Sequence, residues 1–324
     1  MVCVQLFAYE VDTHNSDKMN EIMGRQGADP NEMSQEQYIH LQANLQVRLI
    51  QRYALPIIES RAEVLPVFLP PEFFFKWHSG EPYERPAFLN SLEYLASLSS
   101  AFPTVLWAPG TVWWKEPYIP QKEGPQEPRD HAIVHNSALV FHNGRLLCSW
   151  QKERLSDIDG LRRGPEVWDR WDDHSRRILD DTQSPFFSVI DSHGRQLSCG
   201  IEVCLDHRSL QPQRGEHPDF GILRTRYCSQ YENGAGVDLH ILTAAGMPLQ
   251  PENIVSRRGG VIVRCDGGSG ASSRSECHLV RRGEGSPASA LRQWSPQLDP
   301  AAVEYWGKDP DNRLAIYAPV RLNE

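Results

Sequence analysis

The sequence predicts an α/β fold built from layered sheets. Three observations carry this: short apolar runs rich in Val, Ile, Leu and Phe recur along the chain, two longer stretches carry a helical period, and tight turns join neighbouring runs. The runs place strands at 2–9, 64–69, 104–108, 137–142, 145–150, 186–191, 197–203, 238–243, 261–265 and 314–318. Asn143-Gly144 and His193-Gly194 each fall between two such runs and read as hairpin turns. The longer helix is expected over about 35–62, where Ser34 and Gln37 form a capping box and Tyr38, Leu41, Leu45 and Leu49 share one face. The second, about 87–101, carries Phe88, Leu92, Leu95 and Leu98. Polar stretches bearing Pro or Gly at 12–33, 115–130 and 266–275 are expected to be loops. No internal repeat and no linker composition divides the chain, so residues 1–324 are expected to form one domain.

The 324 residues are 40% hydrophobic and 23% charged, which supports a full core and is far from disordered composition. A formal net charge of -9 argues against phosphate neutralisation on nucleic acid and against a polybasic membrane contact, leaving small molecules or proteins as partners. Seven cysteines, an odd number with no CxxC pair, make neither a disulfide framework nor a zinc cluster. The N-terminus lacks a basic segment, and no apolar run approaches the roughly 18 residues of a membrane span. A soluble, cytoplasmic protein with free thiols is expected.

Three residues carry chemistry. Glu72 follows the apolar run VLPVFLPP and precedes three phenylalanines, so desolvation would raise its pKa toward that of a neutral-pH base. Its alternative reading is a solvated acid at a strand end. Lys152 leaves the strand after the Asn-Gly hairpin beside Trp150, placed to face a forming anion, with a snorkelling surface lysine as the alternative. Cys204 ends the apolar run LSCGIEV where an Asp, a His and an Arg begin a polar turn. A nucleophile on a strand-to-turn junction sits in this way, with the Leu205 backbone N–H available to an oxyanion. For Cys3, Cys148, Cys199 and Cys265 the expectation is a small buried hydrophobe.

In the order Glu, Lys, Cys, each at a predicted strand end, these residues resemble the nitrilase superfamily of carbon-nitrogen hydrolases. PPEFFF is similar to the family's Pro-Glu-plus-apolar segment and implies Glu72 as general base; NSALVFHNGRLLCSWQKERL resembles its hairpin running into the catalytic lysine, here Lys152. CGIEVCLDHR resembles the stretch ending in Cys-x-Asp-x-Arg, implying Cys204 as nucleophile with Asp206 and Arg208 following. The resemblance runs from the first strand to about residue 270. It implies a four-layer α-β-β-α sandwich, no metal or organic cofactor, a small amide or nitrile as substrate, and a two-fold homodimer. Residues 12–33 look like an insertion, VRCDGGSG stands where an Asn-containing strand end is expected, and the tail from about 281 diverges. Members also place a second glutamate between the lysine and the cysteine. Glu166 is the candidate here and Glu153 the weaker one, with a surface salt bridge as the alternative for both.

The implied reaction is thiol attack on a small amide through a thioester, with Glu72 taking the proton and Lys152 and the Leu205 N–H holding the oxyanion. Nitrile hydrolysis and acyl transfer use the same triad, and a binding protein that keeps the fold without catalysis is the non-enzymatic alternative. A cysteine-histidine hydrolase using His207 or His240 as base leaves Lys152 unexplained. His131 and His135 lie on a strand approach, so they would not share a face as a metal pair. Phe73, Phe74, Phe75, Trp77, Trp113, Trp114, Trp168 and Trp171 are candidates for an aromatic pocket, with ordinary core as the alternative, and Arg208, Arg257 or Arg258 for a carboxylate clamp.

Overall fold

The computed structural model describes residues 2–27, 29–61, 63–117, 132–155, 159, 168–169, 184–209, 220–231, 234–268, 274–284, 287, 295–309 and 312–322. The first half carries β1 (Cys3–Val11), α1 (Ser16–Gly24), α2 (Gln35–Leu49), α3 (Leu55–Glu59), β2 (Val64–Leu69), β3 (Tyr83–Glu84), α4 (Arg85–Ser99), β4 (Leu106–Trp107), β5 (Thr111–Pro117), β6 (Ala132–His142), β7 (Arg145–Gln151) and β8 (Trp168–Asp169). There follow β9 (Phe186–Ile190), β10 (Gln196–Val203), α5 (Ile222–Gln230), β11 (Val237–Ala244), β12 (Ser256–Asp266), β13 (Ser275–Glu284), β14 (Ser295–Pro300), β15 (Val303–Trp306), β16 (Asn312–Tyr317) and β17 (Val320–Arg321).

The strands form two mixed sheets. One runs β15-β16-β1-β2-β4-β6-β5-β3, with β17 also on β1 and β7 and β8 also on β6; the other runs β14-β13-β12-β11-β10-β9. Alternation along β1 shows how the layers stack, because successive side chains point to opposite faces. Val4, Leu6 and Ala8 enter a core shared with Ile201, Val203, Leu239, Ile241 and Val263 of the second sheet. Phe7, Tyr9 and Val11 enter another core, with Tyr38 and Ile39 of α2 and Phe88 and Leu95 of α4. On the far side, Leu223 and Tyr227 of α5 pack on Val237 and Val255. The order is therefore helix, sheet, sheet, helix, as expected. Strands buried on both faces read as continuous apolar runs, which is why they stood out in the sequence. Among the described residues no helix is long and apolar enough to cross a membrane.

The Ser34–Gln37 capping box forms, with Gln37 N–H on Ser34 Oγ at 3.2 Å and Ser34 N–H on Gln37 Oε1 at 2.8 Å. The helix expected to 62 is interrupted after Leu49 by a wide turn over Ile50–Ala54, where the Leu55 N–H reaches back to Ile50 O. Pro56, which has no N–H to donate into the helical ladder, follows at once. Residues 12–33 are not only loop: Asn15 caps α1, and Met19, Ile22 and Met23 bury one stripe of it against the helix-side core. That stripe is short and set among polar residues, so its period was hidden. Also unread were β5, whose TVWWKEP mixes aromatic and charged residues, and α5, whose buried face includes Arg224. Charged residues on both sides masked β13, whose Cys277 faces the core between the sheets and whose Val280 packs with Ile254 and Ile262 on the other face.

Gly110 sits between β4 and β5 at φ +87, and a Cβ there would lie 2.5 Å from Pro71 O and 2.9 Å from Phe74 Cβ. Gly110→Ala is therefore expected to cost about 2 kcal/mol or more, from backbone strain and from displacing the segment that carries Glu72. Urea unfolding midpoints measure it.

Candidate active site

Three strand ends deliver the predicted residues to one place. Pro70 and Pro71 take the chain off β2, since proline cannot donate to a ladder, and Glu72 follows. Lys152 directly follows β7, and Cys204 directly follows β10. Glu72 and Lys152 are buried, anchored by their own amides: Glu72 N–H donates to Ala244 O at 3.2 Å and Lys152 N–H to Asn136 O at 2.9 Å.

Lys152 Nζ donates to Glu72 Oε1 at 2.7 Å and to both oxygens of Asp159, at 3.1 Å and 2.9 Å. Asn136 Nδ2 bridges the same two acids, 2.8 Å from Glu72 Oε1 and 3.0 Å from Asp159 Oδ1. Burial works against the ammonium, but Glu72 and Asp159 outweigh it and the Lys152 pKa is raised. Burial pushes the Glu72 carboxyl up to about 7; Lys152 pulls it down and Asp159 pushes it further up.

Cys204 opens a single 3-10 turn, Cys204–His207, at φ +46. A non-glycine residue in this left-handed region costs about 1–2 kcal/mol, and such strain persists where neighbouring contacts fix it. Burial raises the thiol well above its ordinary range and Glu72 raises it further, while Lys152 and the nearby Ala245 backbone N–H lower it. The resting sulfur is thus a thiol, with the Glu72 carboxylate near enough to act on it. Glu72 Oε1 is held by Lys152 and Asn136, while Oε2 has no hydrogen-bond partner among the described residues.

Asp206 lies buried under the turn. Its Oδ1 accepts the amides of Glu153 at 3.1 Å and Arg154 at 2.8 Å, and its Oδ2 accepts the Trp150 indole at 3.3 Å, so it ties the Lys152 segment to the Cys204 turn. Burial pushes Asp206 up to about 8 against the pull of those amides. Leu205 stands at the start of the 3-10 turn, where a backbone N–H has no acceptor within the turn itself.

Some expectations land elsewhere. Glu166 lies outside the described residues, as do Trp171, His131 and the side chain of Trp168. The acid beside the lysine is Asp159, which the sequence reading missed. Glu153 turns its carboxylate to Arg226 Nε at 2.8 Å, so a salt bridge is what it forms. His207 and His240 both face Glu202 rather than the thiol. Arg208 and Arg258 are exposed and Arg257 pairs with Asp238 at 2.6 Å. Of the aromatic set, Phe73 and Trp113 join Val134 and Ala245 in a small apolar cluster, with the Phe73 ring centroid 5.7 Å from Lys152 Nζ, while Phe74, Phe75 and Trp114 belong to the helix-side core and Trp77 packs against it. His135 bonds Glu116 at 3.0 Å and stacks on Trp114.

What fold and site define is an α-β-β-α sandwich with a carboxylate, an ammonium and a thiol buried together at strand ends. No protein-family model matches the chain, and no curated protein matches it. Among solved structures it is similar to an N-terminal amidase crystallised with an Asn-Glu-Ala peptide (TM-score 0.37, 13% identity, covering 75% of this chain and 48% of that one). It is also similar to a glutamine-dependent NAD(+) synthetase from Cytophaga hutchinsonii (TM-score 0.35, 11% identity, covering 98% and 43%). The chain spans less than half the length of either, so the chemistry has to be argued from its own side chains.

Proposed function

We propose that the protein is a nitrilase-type carbon-nitrogen hydrolase, an amidase acting on a small amide with Cys204 as nucleophile. The observation that supports this most is the burial of Glu72, Lys152 and Cys204 together at three strand ends, with Lys152 Nζ on Glu72 Oε1 at 2.7 Å, a carboxyl pushed up to about 7 and a thiol that this carboxylate raises.

Glu72 takes the thiol proton as sulfur attacks the amide carbon, and the carbonyl becomes a tetrahedral oxyanion. Protonation neutralises Glu72 and weakens its hold on Lys152, so the ammonium turns its charge to the oxyanion alongside the Leu205 N–H. The carbon-nitrogen bond breaks, Glu72 returns its proton to the leaving nitrogen, and ammonia departs. Water, deprotonated by Glu72, then attacks the thioester to give the carboxylic acid and restore the thiol. Asp159 and Asn136 keep Lys152 and Glu72 aimed throughout. The raised thiol pKa favours this base-assisted route over a preformed thiolate-imidazolium pair, and all four ring nitrogens of His207 and His240 are engaged elsewhere.

A screen for ammonia release from small amides, carbamoyl amino acids and nitriles tests the reading, run with and without an amine acceptor to separate hydrolysis from acyl transfer. Release from an amide is expected. No turnover of any member, with Cys204 no more reactive to iodoacetamide than the other thiols, would favour the non-catalytic binding protein.

The base must be ionised to act, so kcat/KM is expected to rise with pH through a midpoint near 7. Asp159→Asn removes a negative neighbour that raises the Glu72 pKa, so this acid limb should move to lower pH; a pH-rate profile that stays put contradicts the assignment.

A further inference from the structure

A second buried cluster adjoins the site. Ile201 and Val203 face the core between the sheets, so Glu202 points to the other face of β10. There its Oε1 accepts from His207 Nδ1 at 2.5 Å, at the far end of the Cys204 turn, and from His240 Nε2 at 2.7 Å on the neighbouring strand β11. The Gln250 N–H donates to His207 Nε2 at 2.9 Å and the Val255 N–H to His240 Nδ1 at 3.3 Å.

By composition this is a metal donor set, with the three ligand atoms within 4.8 Å of one another. The hydrogen bonds argue otherwise. A backbone N–H only donates, so His207 Nε2 and His240 Nδ1 carry lone pairs, and the protons sit on the nitrogens that face Glu202, where a metal would have to bind. A metal-ligating histidine turns an N–H outward to an acceptor, the reverse of what is seen here.

We propose that Glu202, His207 and His240 form a brace that holds Cys204 in its left-handed backbone conformation, with Glu202 as a positioning residue for the thiol. This rests on the reading of Cys204 as nucleophile. Glu202 precedes Cys204 and His207 follows it, so their hydrogen bond closes a short loop with the cysteine inside. His240 fastens that loop to β11, which pairs with β10 up to Val203 opposite Thr243, directly before the cysteine. Asn253 adds a third attachment, donating to His207 O at 2.6 Å. The φ of +46 at Cys204 is thereby fixed from both sides of the turn and from the adjacent strand.

The test compares Glu202→Met, which has no acceptor, with Glu202→Gln, which keeps a carbonyl oxygen for both imidazoles. Iodoacetamide labelling of Cys204 is followed by peptide mass spectrometry, with half-buried Cys228 as the internal reference, and kcat and KM are measured on the best amide of the screen. Glu202→Met is expected to slow labelling of Cys204 and lower kcat by about tenfold or more with KM little changed, and Glu202→Gln to recover most of that loss. His207→Phe, which keeps a planar ring but has no donor toward Glu202, should reproduce the Met variant and serves if that variant does not fold. The inference is overturned by wild-type labelling of Cys204 in Glu202→Met, by a parallel rise at Cys228 that marks general loosening, or by one equivalent of zinc in the purified protein that a chelator removes. Turnover retained in Cys204→Ala would sink the nucleophile reading and this inference with it.

Discussion

Replacing Cys204 with alanine is expected to abolish amide turnover, by about 10⁴-fold or more, in a protein that remains folded. No other group in the site can form the acyl intermediate, and groups that act as a unit in a triad fail together when one is removed. Alanine tolerates the backbone of Cys204 as well as cysteine does, and the side chain removed is small, so the unfolding midpoint should move little. Cys3, Cys148, Cys199, Cys265 and Cys277 lie in strands, and Cys148 and Cys277 have thiols raised by burial alone. Their alanine variants should keep their turnover. A Cys204→Ala protein that hydrolyses amides at the parental rate would contradict the mechanism outright.

Lys152→Met is expected to remove activity and stability together. Lysine is the ammonium between Glu72 and Asp159, both buried. Breaking a buried ion pair by removing one partner costs about 3–5 kcal/mol, because a charge is left in the interior without its counter-ion. The sign with pH follows from Glu72, whose folded pKa already lies above its ordinary value and would climb further without Lys152. A carboxyl raised on folding contributes stability below its unfolded pKa and loses it as pH rises through the folded value. The gap between the parent and Lys152→Met should therefore stay nearly constant from about pH 5 to 6 and widen above about pH 7, where Glu72 ionises in the parent but stays protonated in the variant. Urea unfolding across that range measures it, and a gap that narrows with rising pH would show that Glu72 and Lys152 are not coupled as described.

Much of this site could be read from the chain because its three principal residues each terminate an apolar strand, where a polar side chain interrupts an otherwise buried run. Glu72 after VLPVFLPP, Lys152 after RLLCSWQ and Cys204 after LSCGIEV share that signature, and the structure buries them together, with Lys152 hydrogen-bonded to Glu72. Asp159 had no such signal. It is one acid among several in a stretch without period, and only the fold brings it back to a lysine it follows closely. Asn136 stands just before the strand read at 137–142 and gave no signal of its own, because its two acceptors come from segments distant in sequence. The Glu202 brace was hidden for the same reason: Glu202 and His207 are near in sequence, yet His240 reaches them only through the parallel pairing of β10 and β11. At fold level the strands buried on both faces were plain, whereas α1 and α5 are short and bury stripes too narrow to register against their polar residues.

The most direct test is to acid-quench the protein during turnover of its best amide and map any adduct by peptide mass spectrometry. The mechanism predicts an acyl group, the substrate less ammonia, on the peptide bearing Cys204 and on no other, absent from Cys204→Ala. An acyl group on a different residue, or undiminished turnover with the Cys204 peptide unmodified under every quench condition, would contradict it.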